Sequence, residues 1–412
     1  MNGANSSEGS VPGPPPSWWF PAVMTAGVVL MAGACHGSDA RTASQGPSQA
    51  APAAAYDQAV TDTARVLAGL EPEDAARFAR VTNSPAWRAH RTEFDRNWSR
   101  LNAERFAVMR EWRDRELKPA ADACDTLFYP FGGPDFLNAY VLYPGCLRYL
   151  LFGLELVGTV PALERLAEDR ADALLAELRE SLSDIFVRDY FITKTMMNEL
   201  RTPEIDGTLP LLLTFLARLD ARVVGVEMDG QWNPASPATP SADPSAGAVH
   251  GPPRSRRVPG VTIRFMAAGS TRVQTLSYIR VQMEDAEFSK QVDLLNSLDR
   301  VAPFTTFLKS ASYLMHDDRF SRVRSLVLAR SRSVLQDDTG VPYRFFDKSM
   351  WELTLFGQYT PPVRDFNYGL QKDLAAAYQQ SSHARDLPFS FGYHWRQGTS
   401  SVMLAVRKTA TH

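Results

Sequence analysis

The sequence predicts an α+β fold, in which a helix-rich N-terminal half packs with an antiparallel sheet in a single large domain. Long amphipathic stretches dominate residues 57–220, as expected for helices that cover a core. Residues 222–228 and the alternating segments 261–265 and 279–283 are typical of strands. The 412-residue chain is 44% hydrophobic and 22% charged, which is ordinary for a folded soluble protein.

Residues 1–35 are predicted to be an export leader. An apolar run closes on small residues and ends at Cys35, and it is too short and too rich in Gly and Ala for a good membrane-spanning helix. The ending Ala32-Gly33-Ala34-Cys35 resembles the lipobox of bacterial lipoproteins, although leucine is commoner at its first position. No Lys or Arg precedes Cys35, so a plain cleaved signal, or a misplaced start codon upstream of Met24, stays open. We expect a lipid on Cys35 that anchors the protein to a membrane of the cell envelope.

Two further segments are predicted to be unstructured. Residues 36–55 are mostly Ser, Gln, Ala, Pro and Gly, and they bury too little to offset their conformational entropy. They form a flexible linker to a globular domain that spans residues 56–412. The low-complexity segment 230–259 is a disordered insertion in the first connection of a predicted antiparallel meander. Such an insertion costs little, because loop entropy grows only logarithmically with length.

Charge and cysteine content narrow the class of protein. A formal net charge of −2 and an isoelectric point of about 6.4 provide no bulk attraction for nucleic acid. With Cys35 lipidated, Cys124 and Cys146 remain as a pair. In an oxidising periplasm they would form a disulfide that contributes roughly 3 kcal/mol through loop entropy. The alternative is two buried thiols that pack as small apolar side chains.

The N-terminal half is predicted to contain mainly helices, over residues 57–80, 84–118, 162–201 and 208–220. The second of these carries interspersed acidic and basic side chains around an apolar stripe that includes Trp87, Phe94 and Trp98. This pattern is typical of a solvated helix face with i,i+4 ion pairs.

A glycine-rich turn follows a short extended run at residues 126–129. Gly132 and Gly133 precede Pro134 and Asp135, which suit the first position of a helix and the positive end of its dipole. Gly132, Gly133 and Asp135 are therefore candidate ligand-binding residues, for an anion at the helix N-terminus. The alternative is a tight strand-to-helix turn, which by itself explains every residue of the segment. A buried strand is predicted at residues 149–154.

The C-terminal third is predicted to be helical and then extended. Helices are expected over residues 304–315 and 319–335, followed by a strand at 351–356, a helix at 363–380 and a strand pair at 389–395 and 401–407. Arg319, Arg322 and Arg330 cluster on the second of these helices. They are candidates for binding phosphate or an anionic lipid head group. Alternatively, they pair with acids elsewhere in the fold.

Candidate catalytic residues come from two aspartate pairs and their surroundings. The pairs are Asp317 with Asp318 and Asp337 with Asp338. The candidates are His316, Asp317, Asp337, Asp338 and Arg344, and His383 and His394 are further histidines that could take part in acid–base chemistry. Their spacing matches no HExxH motif, nucleophile elbow or Cys/His metal site. No metal or cofactor is predicted, and the alternative is that these aspartates are ordinary turn residues.

Five segments resemble a family of uncharacterised bacterial exported proteins. They are FYPFGGPDFLNAYVLYPG, LLFGLELVG, FLKSASYLMH, LQDDTGVPYRFF and LPFSFGYHW, and they extend from about residue 126 to 396. The resemblance implies an envelope address but neither a reaction nor a ligand.

Two functional hypotheses follow from the sequence. The first is a non-catalytic envelope lipoprotein that binds a protein or small-molecule partner. The second is a periplasmic hydrolase with a carboxylate and histidine site. Convergence of the candidate catalytic residues beside an apolar pocket would favour the hydrolase, and scattered positions would favour the binding protein.

Overall fold

The computed structural model describes residues 55–188, 205–228, 258–380, 384–396 and 398–408. These residues belong to one compact unit, Ala53–His412, and they combine N-terminal helices with one mixed sheet. The prediction of a single α+β domain is therefore confirmed. The predicted leader with Cys35, almost all of the linker and of the insertion, and His383 lie outside the described residues.

Helices dominate the first part of the described chain and recur between the later strands. In chain order they are α1 (Gln58–Leu67), α2 (Ala75–Thr82), α3 (Pro85–Leu101), α4 (Ala107–Trp112), α5 (Lys118–Asp122), α6 (Phe136–Leu142), α7 (Glu168–Arg188), α8 (Leu209–Arg218), α9 (Asp285–Phe288), α10 (Val292–Val301), α11 (Ser321–Arg330) and α12 (Lys372–Gln380).

Short polar side chains determine where the first helices begin. Asp57 accepts a hydrogen bond from the Val60 N–H, and Ser84 accepts one from the Trp87 N–H, so both act as N-caps. Pro85 occupies the first turn of α3, where a missing N–H is harmless. Two π-helical segments, Asn102–Phe106 and Arg113–Leu117, continue α3 through α4 into α5.

The strands of the described chain form one nine-stranded sheet in the order β3-β4-β5-β2-β1-β6-β7-β9-β8. They are β1 (Thr126–Tyr129), β2 (Arg148–Gly153), β3 (Arg222–Glu227), β4 (Gly260–Met266), β5 (Val273–Arg280), β6 (Phe304–Leu308), β7 (Ser331–Gln336), β8 (Trp351–Gly357) and β9 (Ser401–Arg407).

The sheet is mixed, which corrects the prediction of an antiparallel sheet. Its five central strands, β5-β2-β1-β6-β7, are parallel neighbours, while β3 and β4 on one flank and β9 and β8 on the other pair antiparallel. The predicted meander β3-β4-β5 is confirmed. Parallel strands need crossover connections, and α6 between β1 and β2 and α11 between β6 and β7 provide them.

Both faces of the central strands are covered by helices. Leu127 and Tyr129 of β1 belong to the core that contains the N-terminal helices, whereas Phe128 belongs to a second core with α9 to α12. All five residues of β6 are buried. A strand that is buried on both faces has no period of two, and this explains why residues 304–315 were wrongly predicted to be a helix.

Two other C-terminal predictions also differ from the structure. The predicted helix 319–335 ends at Arg330, and the next residue begins β7, because pairing with β6 overrides local helical propensity. Residues 389–395 form only an isolated bridge between Phe391 and His394, so β9 pairs instead with β7 and β8. The strands predicted at 351–356 and 401–407 are confirmed as β8 and β9.

Cys124 and Cys146 form a disulfide, with their Cα atoms 4.9 Å apart. The structure therefore contains a disulfide, and not the alternative of two buried thiols. Each cysteine lies two residues before a strand, so the bond connects the amino ends of the neighbouring strands β1 and β2.

Among the described helices, none is long and apolar enough to cross a membrane.

Candidate functional site

A cleft lies at the carboxyl ends of the central parallel strands. In the sheet, β1 lies between β2 and β6. The chain leaves β1 towards β2 on one side and leaves β6 towards β7 on the other side, so the connections that follow β1 and β6 run in opposite directions. In open α/β sheets, ligands bind at such a switch point. The loops after β1, β2 and β6 line a cavity of about 80 Å³, with residues 131–135, 153–155 and 309–312 in its wall. Pockets for drug-sized ligands hold about 300–1,000 Å³, so this cavity suits one small polar group.

A buried ion pair joins the two loops that flank the switch point. Lys309 Nζ lies 2.7 Å from Asp135 Oδ2, and the side chains are 0% and 5% exposed. Tyr129 Oη donates to the same carboxylate at 3.0 Å, and Asn138 Nδ2 donates at 2.9 Å. A buried ion pair is tolerated when further hydrogen bonds satisfy its charged groups, and Asp135 meets this condition.

Glu155 is the second buried carboxylate of the cleft. Its side chain is 3% exposed, and its Oε2 accepts hydrogen bonds of 3.1 Å from the Leu154 N–H and from Tyr278 Oη. Burial, followed by the charge of Glu155, raises the pKa of Tyr278 well above its ordinary value, so this phenol is a stable donor.

The glycines of the cleft make room for the Glu155 carboxylate. A Cβ atom on Gly153 would lie 2.5 Å from Glu155 Oε2. Gly133 has a φ of +52°, which L side chains rarely adopt, and a Cβ atom there would lie 3.3 Å from the same oxygen. The glycine-rich turn therefore admits a carboxylate into the cleft.

This geometry argues against the predicted anion site at the glycine-rich turn. The turn faces the carboxylates of Asp135 and Glu155, which repel an anion. The Gly133 N–H donates to the Phe152 carbonyl at 3.1 Å, so it is already used. Asp135 precedes α6 but makes no capping hydrogen bond. Gly132, Gly133 and Asp135 line the candidate cleft, but their surroundings do not suit the anion that the sequence pattern predicts for them.

Strained backbone conformations are concentrated around the cleft. Of the described non-glycine residues with a positive φ, Phe131 has 63°, Ser310 has 53°, Ser312 has 52° and Tyr313 has 55°, and only Asp220 lies elsewhere. Each such residue costs on the order of 1 kcal/mol, and such residues cluster at functional sites. The loops after β1 and β6 are therefore held in unfavourable conformations at the place where the cavity forms.

The aspartates that follow β7 lie beside this cleft. Asp337 Oδ2 accepts a hydrogen bond of 2.9 Å from the Ser310 N–H, and Oδ1 accepts one of 3.0 Å from the Thr339 N–H. Asp338 Oδ2 accepts a hydrogen bond of 2.5 Å from Tyr313 Oη. The two carboxylates are 4% and 2% exposed, so they support the loop after β6 from the protein interior.

Histidines surround this aspartate pair. His394 Nε2 lies 3.9 Å from Asp338 Oδ2, which is an ion-pair distance and too long for a hydrogen bond. Burial lowers the pKa of His394, but the Asp338 carboxylate outweighs burial, and the net shift is upward. Burial lowers the pKa of His316 to about 4. Burial and the neighbouring Asp338 raise the pKa of Asp337 to about 7.

The candidate catalytic residues converge only in part. His316, Asp337 and Asp338 belong to one buried cluster, which His394 completes. Asp317 is instead half-exposed and pairs with Arg319. Arg344 packs its guanidinium 4.7 Å from the centre of the Phe345 ring.

Two of the three candidate phosphate-binding arginines pair with acids through their guanidinium groups, as the alternative predicted. Arg319 pairs with Asp317 at 2.9 Å, and Arg330 pairs with Asp299 at the same distance. The backbone N–H of Arg322 donates to Asp285.

Sequence reasoning missed Lys309 and Glu155. Each comes within two residues of the end of a buried apolar strand, β6 and β2 respectively. The carboxyl ends of parallel strands meet at one edge of a sheet. A charged residue directly after an apolar run could therefore have indicated both site residues. This would have required that the two runs, β2 and β6, be recognised as parallel strands.

No family model, no curated protein and no solved structure matches this chain.

Proposed function

We propose that this chain is a lipid-anchored protein of the bacterial cell envelope that binds a small polar ligand without catalysis. The observation that carries the proposal is the cleft at the switch point, with buried charged side chains in its wall. Charged groups are expensive to bury, and strained loops are expensive to hold. Both features are accounted for when the cleft receives a ligand.

The disulfide supports the envelope address. Disulfides persist in oxidising compartments and are rare in the cytosol, and the pair Cys124–Cys146 is bonded. The resemblance to bacterial exported proteins favours the same address and stays a prediction.

The lipid anchor is tested by expressing the full chain and its Cys35→Ala variant in a bacterial host. We expect the wild-type protein to sediment with membranes and to carry acyl mass, because the sulfur of Cys35 is the attachment point. The variant is expected to lose both properties. Fractionation and intact mass spectrometry measure them. A soluble, unmodified wild-type product would contradict the anchor.

Ligand binding is tested with the full chain in detergent by ligand-observed NMR. The probes are methylammonium, glycine, glucose, inorganic phosphate and succinate, which represent the common small polar groups. We expect one of them to bind the wild-type protein and to lose its binding in the double variant Lys309→Met/Asp135→Asn, because both side chains line the cleft. The control is Lys290→Met, which removes an exposed ion pair with Glu287. Absence of binding by every probe would contradict the proposal.

A hydrolase is the second candidate, and the Asp337 carboxyl favours it. A pKa of about 7 suits a general acid or base at neutral pH. Against it stands the position of the aspartate pair, whose oxygens bind Ser310, Thr339 and Tyr313 within the protein. Turnover of a hydrolysable substrate that is lost in Asp337→Asn would favour the hydrolase over the binding protein.

A further inference from the structure

We infer that the group bound in the cleft is a primary ammonium, and that Glu155 is its acceptor. This inference rests on the proposed binding function and specifies its ligand class. It starts from the charges of the cleft wall, where the described residues supply two carboxylates, Asp135 and Glu155, and one ammonium, Lys309.

The ammonium of Lys309 is assigned to Asp135. Its Nζ lies 2.7 Å from Asp135 Oδ2, and two further donors satisfy that carboxylate. The charge of Asp135 is therefore compensated within the protein.

Glu155 has no such cation among the described residues. Its hydrogen-bond donors are an amide N–H and a phenol, which are both neutral, and both contact Oε2. The nearby Arg280 directs its Nε to the Leu154 carbonyl at 3.0 Å instead. A buried carboxylate without a cation is strongly unfavourable, and the second oxygen, Oε1, accepts no hydrogen bond from the described residues. Glu155 lines the cavity, so Oε1 is the oxygen that is left to accept a hydrogen bond from a ligand there.

The volume of the cavity limits the size of the cation that it can hold. A volume of about 80 Å³ admits an ammonium with one or two carbons and leaves the rest of a ligand outside. An ammonium donates up to three hydrogen bonds. In the cleft, Glu155 Oε1 accepts one of them.

The test is a titration of the full chain in detergent with methylammonium chloride, followed by saturation-transfer NMR on the methyl signal. Ethanol is the neutral probe of similar size, acetate is the anionic probe, and sodium chloride keeps the ionic strength constant. We expect methylammonium to bind and ethanol and acetate not to bind. Glu155→Gln is expected to weaken methylammonium about tenfold or more, as loss of a charged hydrogen bond does. The matched control is Glu352→Gln, an exposed glutamate on β8 that is expected to leave binding unchanged.

Each outcome decides between the ligand classes. Equal binding of ethanol and methylammonium, or equal affinity in wild type and Glu155→Gln, would overturn the inference. If Glu155→Gln fails to fold, the comparison of methylammonium, ethanol and acetate on the wild-type protein still tests the inference. If methylammonium fails while glucose, phosphate or succinate binds in the cleft, the ammonium inference falls and the proposed binding function stands. If every probe fails, both fall.

A primary ammonium belongs to a free amine or to a lipid head group, and two arms of the experiment distinguish these sources. Ethanolamine tests the free amine. Sedimentation of the unlipidated Cys35→Ala protein with phosphatidylethanolamine vesicles, compared with phosphatidylglycerol vesicles, tests the head group. Glu155-dependent binding in either arm supports the ammonium inference, and its absence in both overturns it.

Discussion

Replacement of Lys309 by methionine is expected to lower the free energy of unfolding by about 3–5 kcal/mol, because it leaves the buried Asp135 carboxylate without its cation. The two side chains are 0% and 5% exposed, so water cannot compensate the lost charge. Adding Asp135→Asn to this variant is expected to restore most of the stability. The asparagine has almost the same shape. Its Oδ1 still accepts from Asn138, and its Nδ2 donates to Tyr129 Oη, whose O–H is then directed to the backbone carbonyl of residue 309. Denaturant unfolding of both single variants and of the double variant measures the coupling as a thermodynamic cycle.

The matched control is Lys290→Met. Lys290 Nζ lies 2.6 Å from Glu287 Oε1, but these side chains are 58% and 39% exposed. Exposed pairs contribute about 0–1 kcal/mol, so this variant is expected to be almost as stable as wild type. Equal losses in Lys309→Met and Lys290→Met would refute a special role for burial. A double variant as unstable as Lys309→Met alone would show that the loss comes from packing and not from charge.

Asp337→Asn is expected to change how stability depends on pH. The folded pKa of Asp337 is raised from 3.8 to about 7, so between these values the folded protein holds a proton that the unfolded chain releases. The stability that this proton contributes is complete below about pH 4 and is lost as the pH rises to about 7. The slope reaches about 1.4 kcal/mol per pH unit for one proton. Asparagine does not titrate, so the stability of the variant relative to wild type is expected to rise across this window.

Unfolding of wild type and variant at a series of pH values measures this difference. His316 contributes with the opposite sign, since a histidine pKa lowered to about 4 makes the protein less stable as the pH falls. His394, whose pKa is raised, loses its contribution as the pH rises. Both histidines are present in the two proteins, so their contributions largely cancel in the difference. Asp122→Asn, at an exposed carboxyl near Lys118, is the control. Parallel curves for wild type and Asp337→Asn would disprove the raised pKa.

Local patterns predicted local features of this fold. The helices α1 to α4, α7 and α8 follow from amphipathic stretches, and the meander β3-β4-β5 follows from alternation in half-exposed strands. The pattern failed at β6, because all of its residues are buried and a continuous apolar run fits a buried helix and a buried strand equally well.

Of the residues that line the cleft, the sequence indicated only those of the glycine-rich turn. Gly132, Gly133 and Asp135 do line the cleft. Their partner Lys309 lies 174 residues away from Asp135 along the chain, and no local pattern connects two such residues. The aspartates 337 and 338 were noticed as a pair, but their burial and their contacts with Ser310 and Tyr313 depend on the packing of β6 against β7.

The sequence by itself determined the α+β class, the N-terminal helices, the meander and the choice of Cys124 and Cys146 as partners, because each depends on side chains that are near one another in the chain or few in number. Only the tertiary structure decided that the central strands are parallel and that β1 and β6 are neighbours with diverging connections. The physical reason is that hydrophobic periodicity reports which face of a segment is buried, and contains no information about the neighbouring strand or its direction. The cleft, with Lys309, Asp135 and Glu155 in its wall, is a consequence of that strand order.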